Sequence, residues 1–334
     1  MTVAAYAKVN ITLEVLGVRP DGYHDLRSVV VPISLADVVT LEPADEVTLD
    51  LGSLRSLKSL GSLGSVEPLR ALTTLNTLTT LNTLTTFTTL RTLTTLNTLN
   101  SLTTLNTLKA EDNLAVRAAR LMQRVSGRNE GVEITLEKRI PVGGGLGGGS
   151  ADAAAVLNGL NEMWRLDIPK PELAGLGAEI GSDVPALVLG GPVLMEGRGE
   201  HVSPFTFHPS PFTFNLVLAN PGVFCSTAEI FKAFADPLPN RPEILYNIRL
   251  AMQAGDDAAV ARALQNDLEA TATRLHPEIG AARRRLEEAG CLGVSMSGSG
   301  ATVFGIVRDA SEAECIARKL SEDGLWAVAV ETVR

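Results

Sequence analysis

Six of the seven residues from 143 to 149 are glycine, within the stretch "RIPVGGGLGGGSADAAAVLNGL". Glycine loses more backbone freedom on folding than any other residue, so a cluster this dense needs a local reason. It follows the strand-like "GVEITLEKRI" and runs into "SADAAAVLNGLNEMW", which reads as helix. A flexible linker leads nowhere in particular. This cluster instead feeds a helix opened by Ser150, Ala151 and Asp152, whose free N–H groups and positive dipole end form an anion site. Phosphate is the natural guest. The spacing is not that of a Walker loop, because no Gly-Lys-Ser/Thr follows, and the glycines are not read as the fingerprint of a dinucleotide-binding unit.

The rest of the chain limits what such a site can serve. At 334 residues and 45% hydrophobic content the protein can bury a good core across two domains. A formal charge of −9 argues against nucleic acid or an anionic membrane as partner, so the phosphate site has to be local. Cys225, Cys291 and Cys315 are scattered without C-x-x-C spacing, and the four histidines lack metal-ligand spacing, so neither a disulfide framework nor a protein metal site is expected. The opening "MTVAAYAKVNITLEVLG" alternates without a charged run ahead of an apolar one, and no apolar run reaches membrane-spanning length. A cytoplasmic protein with a small-molecule substrate, no nucleic acid and no membrane is the expectation, and a homodimer is compatible with it.

Residues 2 to 18 and 27 to 50 alternate in β fashion around the turn "RPDGYH". From Leu51 to Leu108 every third position is then leucine, apart from Val66 and Phe87. A period of three suits neither a helix face, around which it drifts by about 60° per step, nor a strand face, across which it alternates. Residues 51–109 therefore read as a low-complexity Leu/Thr triplet insertion, loosely structured or dependent on partners. "EDNLAVRAARLMQRVSG" resumes as an amphipathic helix with Leu114, Ala118, Leu121, Met122 and Val125 on one side. "KPELAGLGAEIGSDVPALVLGGPVLMEGRGEHV" gives a helix, a sharp "GSDVP" turn and a strand pair. Beyond residue 206 strands and helices mix in an order that predicts α+β, with helices on one face of an antiparallel sheet.

Four short constellations could carry chemistry. Lys8 and Asn10 in "AKVN" share a strand face, where they are costly to bury without an anionic partner or else solvated at an edge. Tyr23 and His24 in "RPDGYHDL" add an aromatic face and a hydrogen-bonding ring to a turn. Asp183 in "GSDVP" is a held carboxylate, because Val184 before Pro185 is pushed toward extended backbone, though a turn aspartate would look the same. "MSGSGATVFG" is a hairpin turn small enough to approach a phosphate loop. A phosphate cradle, a lysine and a fixed aspartate are the parts of phosphoryl transfer.

With these residues in hand, the chain resembles the GHMP kinases, the superfamily of galactokinase, homoserine kinase and mevalonate kinase. "PVGGGLGGGSADAA" is similar to their ATP-binding motif and "MSGSGATVFG" to their third motif. "AKVNITLEVLGVRPDGYHDLRSV" resembles the first motif of the branch that acts on a cytidine-diphosphate ester of methylerythritol, with "DGYH" its most discriminating part. The resemblance implies a two-domain α+β fold: an N-terminal ribosomal-protein-S5-like domain over 1–205, bearing the 51–109 insertion, and a C-terminal ferredoxin-like domain over 206–334. It implies ATP and Mg²⁺ as cofactors. Asp183 would accept the proton of the substrate's 2-hydroxyl and Lys8 would neutralise the γ-phosphate. Asn10, Tyr23, His24 and Arg198 would bind substrate. Pro141, Val142, Gly143, Gly144, Gly145, Leu146, Gly147, Gly148, Gly149 and Ser150 would cradle the ATP phosphates, with Asn113 and Leu114 lining the adenine pocket. Against another kinase of the superfamily stands "DGYH", since homoserine and mevalonate carry no cytosine. Against a nucleotide sensor stand Lys8 and Asp183, which a sensor does not need.

Overall fold

The computed structural model describes residues 1–51, 110–205, 213–234 and 241–333. The expectation for the triplet insertion lies, apart from Leu51, outside these residues.

The alternating start forms two long antiparallel strands, β1 (Thr2–Val18) and β2 (His24–Ala44). Their connection follows from turn chemistry: Asp21 Oδ1 accepts the Tyr23 N–H at 3.1 Å. At 21 residues β2 is long enough to pair with two further neighbours. Its second half pairs with β4 (Gly131–Glu137), which also carries the short β3 (Thr48–Asp50). Its first half pairs with β5 (Val193–Gly197), followed by β6 (His201–Pro204).

One helical layer covers this sheet. α1 (Leu114–Ser126) is capped by Asn113, whose side chain accepts the Ala115 N–H at 2.9 Å. Ala118, Leu121 and Met122 are buried as its periodicity requires. Val125, expected on the same face, is 45% exposed, because it falls in the last turn, where Gly127 leads the chain away. α2 (Gly148–Met163) packs on β1, β2 and α1. Nearly every residue from Ala151 to Leu160 is buried, and the run of alanines lets the helix settle close to its neighbours on all sides. α3 (Lys170–Gly177) and α4 (Val184–Leu189) complete the layer. The extended geometry expected of Val184 is not found: Val184 is the first residue of α4, with Pro185 in the first turn. Proline costs no hydrogen bond there, and full burial of Val184 against Gly177 outweighs the local bias.

The second half opens with β7 (Asn215–Asn220) and α5 (Thr227–Ala233), then α6 (Pro242–Ala254) and α7 (Asp257–Arg262). A two-residue strand, β8 (Gln265–Asn266), pairs in parallel with Thr12 and Leu13 of β1, stitching this half onto the first sheet. No sequence signal marks a strand so short. α8 (Glu269–Leu275), α9 (Pro277–Glu288), β9 (Gly293–Met296), β10 (Val303–Val307), α10 (Ala310–Glu322) and β11 (Trp326–Glu331) follow. The second sheet is antiparallel in the order β11-β7-β10-β9. α9 and α10 pack on it, as expected of helices gathered on one face. Its other face is covered too. Leu216 and Leu218 join the core shared with the first sheet, while Val217 and Ala219 join the core under α9 and α10.

Candidate active site

The glycine loop lies between the two sheets, and its shape is set from both sides. The carbonyl of Leu146 accepts the Lys8 N–H at 3.0 Å from β1. The carbonyls of Gly144 and Gly145 accept the Thr302 N–H and the Ser297 hydroxyl, both at 3.0 Å, from the turn between β9 and β10. The "MSGSGATVFG" turn thus does approach the loop. Three consecutive carbonyls are held by protein, which is the arrangement an anion-binding loop needs if its N–H groups are to face a ligand. Two glycines are obligatory. At Gly145, with φ +74°, a β-carbon would overlap the Ser297 carbonyl oxygen. At Gly147, with φ +70°, it would meet Lys8 Cγ at 3.2 Å and Asp183 Oδ2 at 3.6 Å. The helix begins at Gly148 rather than Ser150, so its first turn takes in two of the glycines.

Lys8 and Asn10 are not solvated at an edge; they are 3% and 1% exposed. Register irregularities on either side of the pair, between Tyr6 and Lys8 and between Asn10 and Thr12, bend β1 where it meets the loop. Lys8 Nζ donates to Asn10 Oδ1 at 2.6 Å, and Asn10 Nδ2 donates to Ser28 Oγ at 2.8 Å. The Asp183 carboxylate, at the N-terminal end of α4, stands 3.7 Å from Lys8 Nζ and is 29% exposed. The pair therefore combines a fixed ammonium with a carboxylate that still reaches solvent.

The cleft around this pair measures about 970 Å³ and is lined by every residue to which the resemblance gives a catalytic or binding role, Asn113 and Leu114 included. Tyr23 lies under the Arg198 guanidinium, with 4.9 Å from the guanidinium carbon to the ring centroid. His24 packs against Phe231 at 5.0 Å between ring centroids and against Phe234 at 6.3 Å, nearly edge-on. Phe231 and Lys232, both on α5, line the same cleft and were missed in the sequence. In a chain only 4% aromatic, two phenylalanines three residues apart, one on α5 and one just past its end, were the available signal.

Lys138 was missed too, and Asp152 was named only for its place at the opening of the helix. Lys138 Nζ donates to Asp152 Oδ2 at 2.6 Å and to Asp37. Burial alone would lower the pKa of Lys138, but Asp152 and Asp37 outweigh it and hold the ammonium above its ordinary value. Burial raises Asp152; Lys138 pulls it back, Asp37 pushes it up again, and the result is about 7.

The GHMP kinases N terminal domain matches residues 113–191, and the GHMP kinases C terminal domain matches residues 248–324. A 4-diphosphocytidyl-2-C-methyl-D-erythritol kinase of Symbiobacterium thermophilum is 38% identical over 92% of this chain and 91% of its own. One of Pelotomaculum thermopropionicum is 36% identical over 96% and 93%. The chain belongs to the 4-diphosphocytidyl-2-C-methyl-D-erythritol kinase family of GHMP kinases.

A crystal structure of 4-(cytidine 5'-diphospho)-2C-methyl-D-erythritol kinase superposes over the full length of both chains with a TM-score of 0.69 at 30% identity. Homoserine kinase from Cytophaga hutchinsonii, at 17% identity and a TM-score of 0.65, shares the fold. The two-domain GHMP kinase fold and a small-molecule kinase activity with ATP as phosphate donor follow from this membership. Among the described residues no helix of this kinase is long and apolar enough to cross a membrane.

Proposed function

We propose that the kinase transfers the γ-phosphoryl group of ATP to the 2-hydroxyl of 4-diphosphocytidyl-2-C-methyl-D-erythritol, a step of non-mevalonate isoprenoid precursor synthesis. The observation that carries this reading is the Lys8–Asp183 pair at 3.7 Å directly beside Gly147, in a cleft whose other wall is Tyr23, His24 and Arg198. In the reaction the substrate oxygen bonds to the γ-phosphorus, the bond from that phosphorus to the β–γ bridging oxygen breaks, and ADP leaves. Asp183 takes the hydroxyl proton. Lys8 faces the charge gathering on the transferred group, and such positioning and neutralisation supply most of the catalysis in phosphoryl transfer.

Gly143 to Ser150 cradle the ATP phosphates, with Pro141 and Val142 leading in and Asn113 and Leu114 beside the adenine. Asn10 orients the erythritol unit. Tyr23 stacks on the cytosine, His24 hydrogen-bonds its edge, and Arg198 contacts the diphosphate, the devices that recognise an unpaired base and its phosphates. Among the described residues no three His, Cys, Asp or Glu side chains stand together as a metal cage. A Mg²⁺ ion would be held through the ATP phosphates over Gly143 to Ser150 rather than by protein carboxylates, since such ions keep most of their water and lean on substrate phosphates. When bound, it neutralises phosphate charge. The same reading divides the chain into domains at 205/206, and expects a cytoplasmic enzyme free to form a homodimer.

Phosphorus NMR of the purified protein with ATP, Mg²⁺ and the cytidyl substrate tests the proposal, run beside homoserine and mevalonate as acceptors. A new phosphomonoester resonance with the cytidyl substrate alone is the expected outcome. Phosphorylation of homoserine or mevalonate instead would overturn the substrate, and ATP binding without turnover of any acceptor would overturn the catalytic reading.

A further inference from the structure

Beneath the glycine loop lies a charged group that the transfer chemistry does not use. Asp37, on β2, is fully enclosed; one of its oxygens accepts the backbone N–H groups of Arg139 and Ile140, the latter at 2.9 Å, and the other meets Lys138. Lys138, 6% exposed at its side chain, reaches on to Asp152 in the first turns of α2. One ammonium therefore joins the sheet, the chain entering the loop and the helix leaving it. Asp152 is 3% exposed, lines the cleft, and its Oδ1 has no hydrogen-bond partner.

With Asp152 ionised, two carboxylates against one ammonium leave a net negative charge under a site meant for a triphosphate. Anion affinity alone would be better served by a neutral side chain at 152, and burying ions is costly unless the geometry is used. The use on the page is mechanical. Six glycines give the loop more freedom than a phosphate cradle tolerates, and a displacement of about 1 Å in a binding group costs on the order of a hundredfold in rate. The hydrogen bonds from Lys8, Ser297 and Thr302 hold the middle of the loop; the Lys138 bridge holds its two ends.

We propose that Lys138 is a positioning residue for the nucleotide, acting through Asp152 to fix the loop against α2, and that this bridge sets ATP affinity without touching the acceptor site. The inference rests on the assignment of the loop to ATP, so its test uses nucleotide binding alone as well as turnover. Asp152→Ala removes the arm and leaves a neutral Lys138–Asp37 pair, which keeps the fold. Asp152→Asn removes the charge but still accepts a hydrogen bond from Lys138. ATP–Mg²⁺ binding is measured calorimetrically for both and for the wild type, together with KM for the cytidyl substrate and kcat at saturating ATP.

The bridge predicts ATP affinity weakened about tenfold or more in Asp152→Ala, largely restored in Asp152→Asn, with acceptor KM within about twofold of wild type. ATP binding as tight as or tighter than wild type in both variants would show that charge, not position, governs, and would overturn the inference. So would an acceptor KM that rises in step with the ATP dissociation constant, the mark of a general loss of structure. A wild type that binds no ATP would sink the nucleotide assignment and this inference together.

Discussion

Two lysines stand under the same loop and differ in what their ammonium groups face. Lys8 is 3% exposed and Lys138 is 6% exposed at the side chain, so burial does not separate them. Lys8 spends one hydrogen bond on the neutral Asn10 oxygen and stands 3.7 Å from an aspartate that is 29% exposed, which leaves donors for a ligand. Lys138 is closed between two carboxylates that are 0% and 4% exposed at the side chain. An ammonium with spare donors beside a reachable carboxylate suits chemistry; one held between two enclosed carboxylates suits architecture.

The sharpest way to break that comparison is to remove each charge and see what fails. Asp183→Asn keeps the shape of the Lys8 site and removes the proton acceptor, so kcat is expected to drop by about 10²–10⁴-fold with little change in Tm. Lys8→Met should likewise lose turnover before it loses fold. Lys138→Met should do the reverse: it strands two buried carboxylates, a change expected to cost about 3–5 kcal/mol in urea denaturation. If Lys8→Met unfolds the protein while Lys138→Met stays stable and inactive, the two roles have been assigned the wrong way round.

The same contrast explains what could be read in the sequence. Lys8 sits in a compact motif, two residues from Asn10, and turn chemistry at Asp21 and the glycine run at 143–149 are equally local, so each was legible. Lys138 meets Asp37 across 101 positions of chain, and nothing near either residue announces the partner. The pairing of Asn266 with Leu13 is hidden for the same reason, since two residues of strand carry no alternation to detect. Val184 shows the opposite failure: a true local bias before proline was overruled by burial that only the folded neighbours supply. Strands, helices and the loop came from periodicity and propensity, and the floor of the site came from tertiary contacts between distant segments.

A smaller effect separates the lysines by pH. Asp152 titrates higher in the folded chain, at about 7, than an ordinary carboxylate does, so between the ordinary value and about 7 the folded state holds more protons than the unfolded state. Stability from this group is therefore fully present below the ordinary carboxylate range and is lost as pH rises through the raised value. Asp152→Asn should flatten the decline of Tm across that window. Equal slopes for wild type and Asp152→Asn would remove the titrating role given to the enclosed cluster.

The smallest expected effect lies at the cleft's outer wall, where Arg198 covers Tyr23 at 4.9 Å from the ring centroid. Both groups are partly open to water, with Tyr23 58% exposed and the Arg198 side chain 43% exposed, so their attraction is worth only about 0.5–1 kcal/mol. Arg198→Ala should raise KM for the cytidyl substrate by about two- to fivefold, with added loss if the guanidinium also meets the diphosphate, and leave KM for ATP and kcat unchanged. Arg198→Lys keeps the charge but loses the planar group, so recovery in that variant would assign the effect to the diphosphate, and no recovery would assign it to the stack on Tyr23. An unchanged substrate KM in Arg198→Ala would take Arg198 out of the binding wall and leave Tyr23 and His24 to define it.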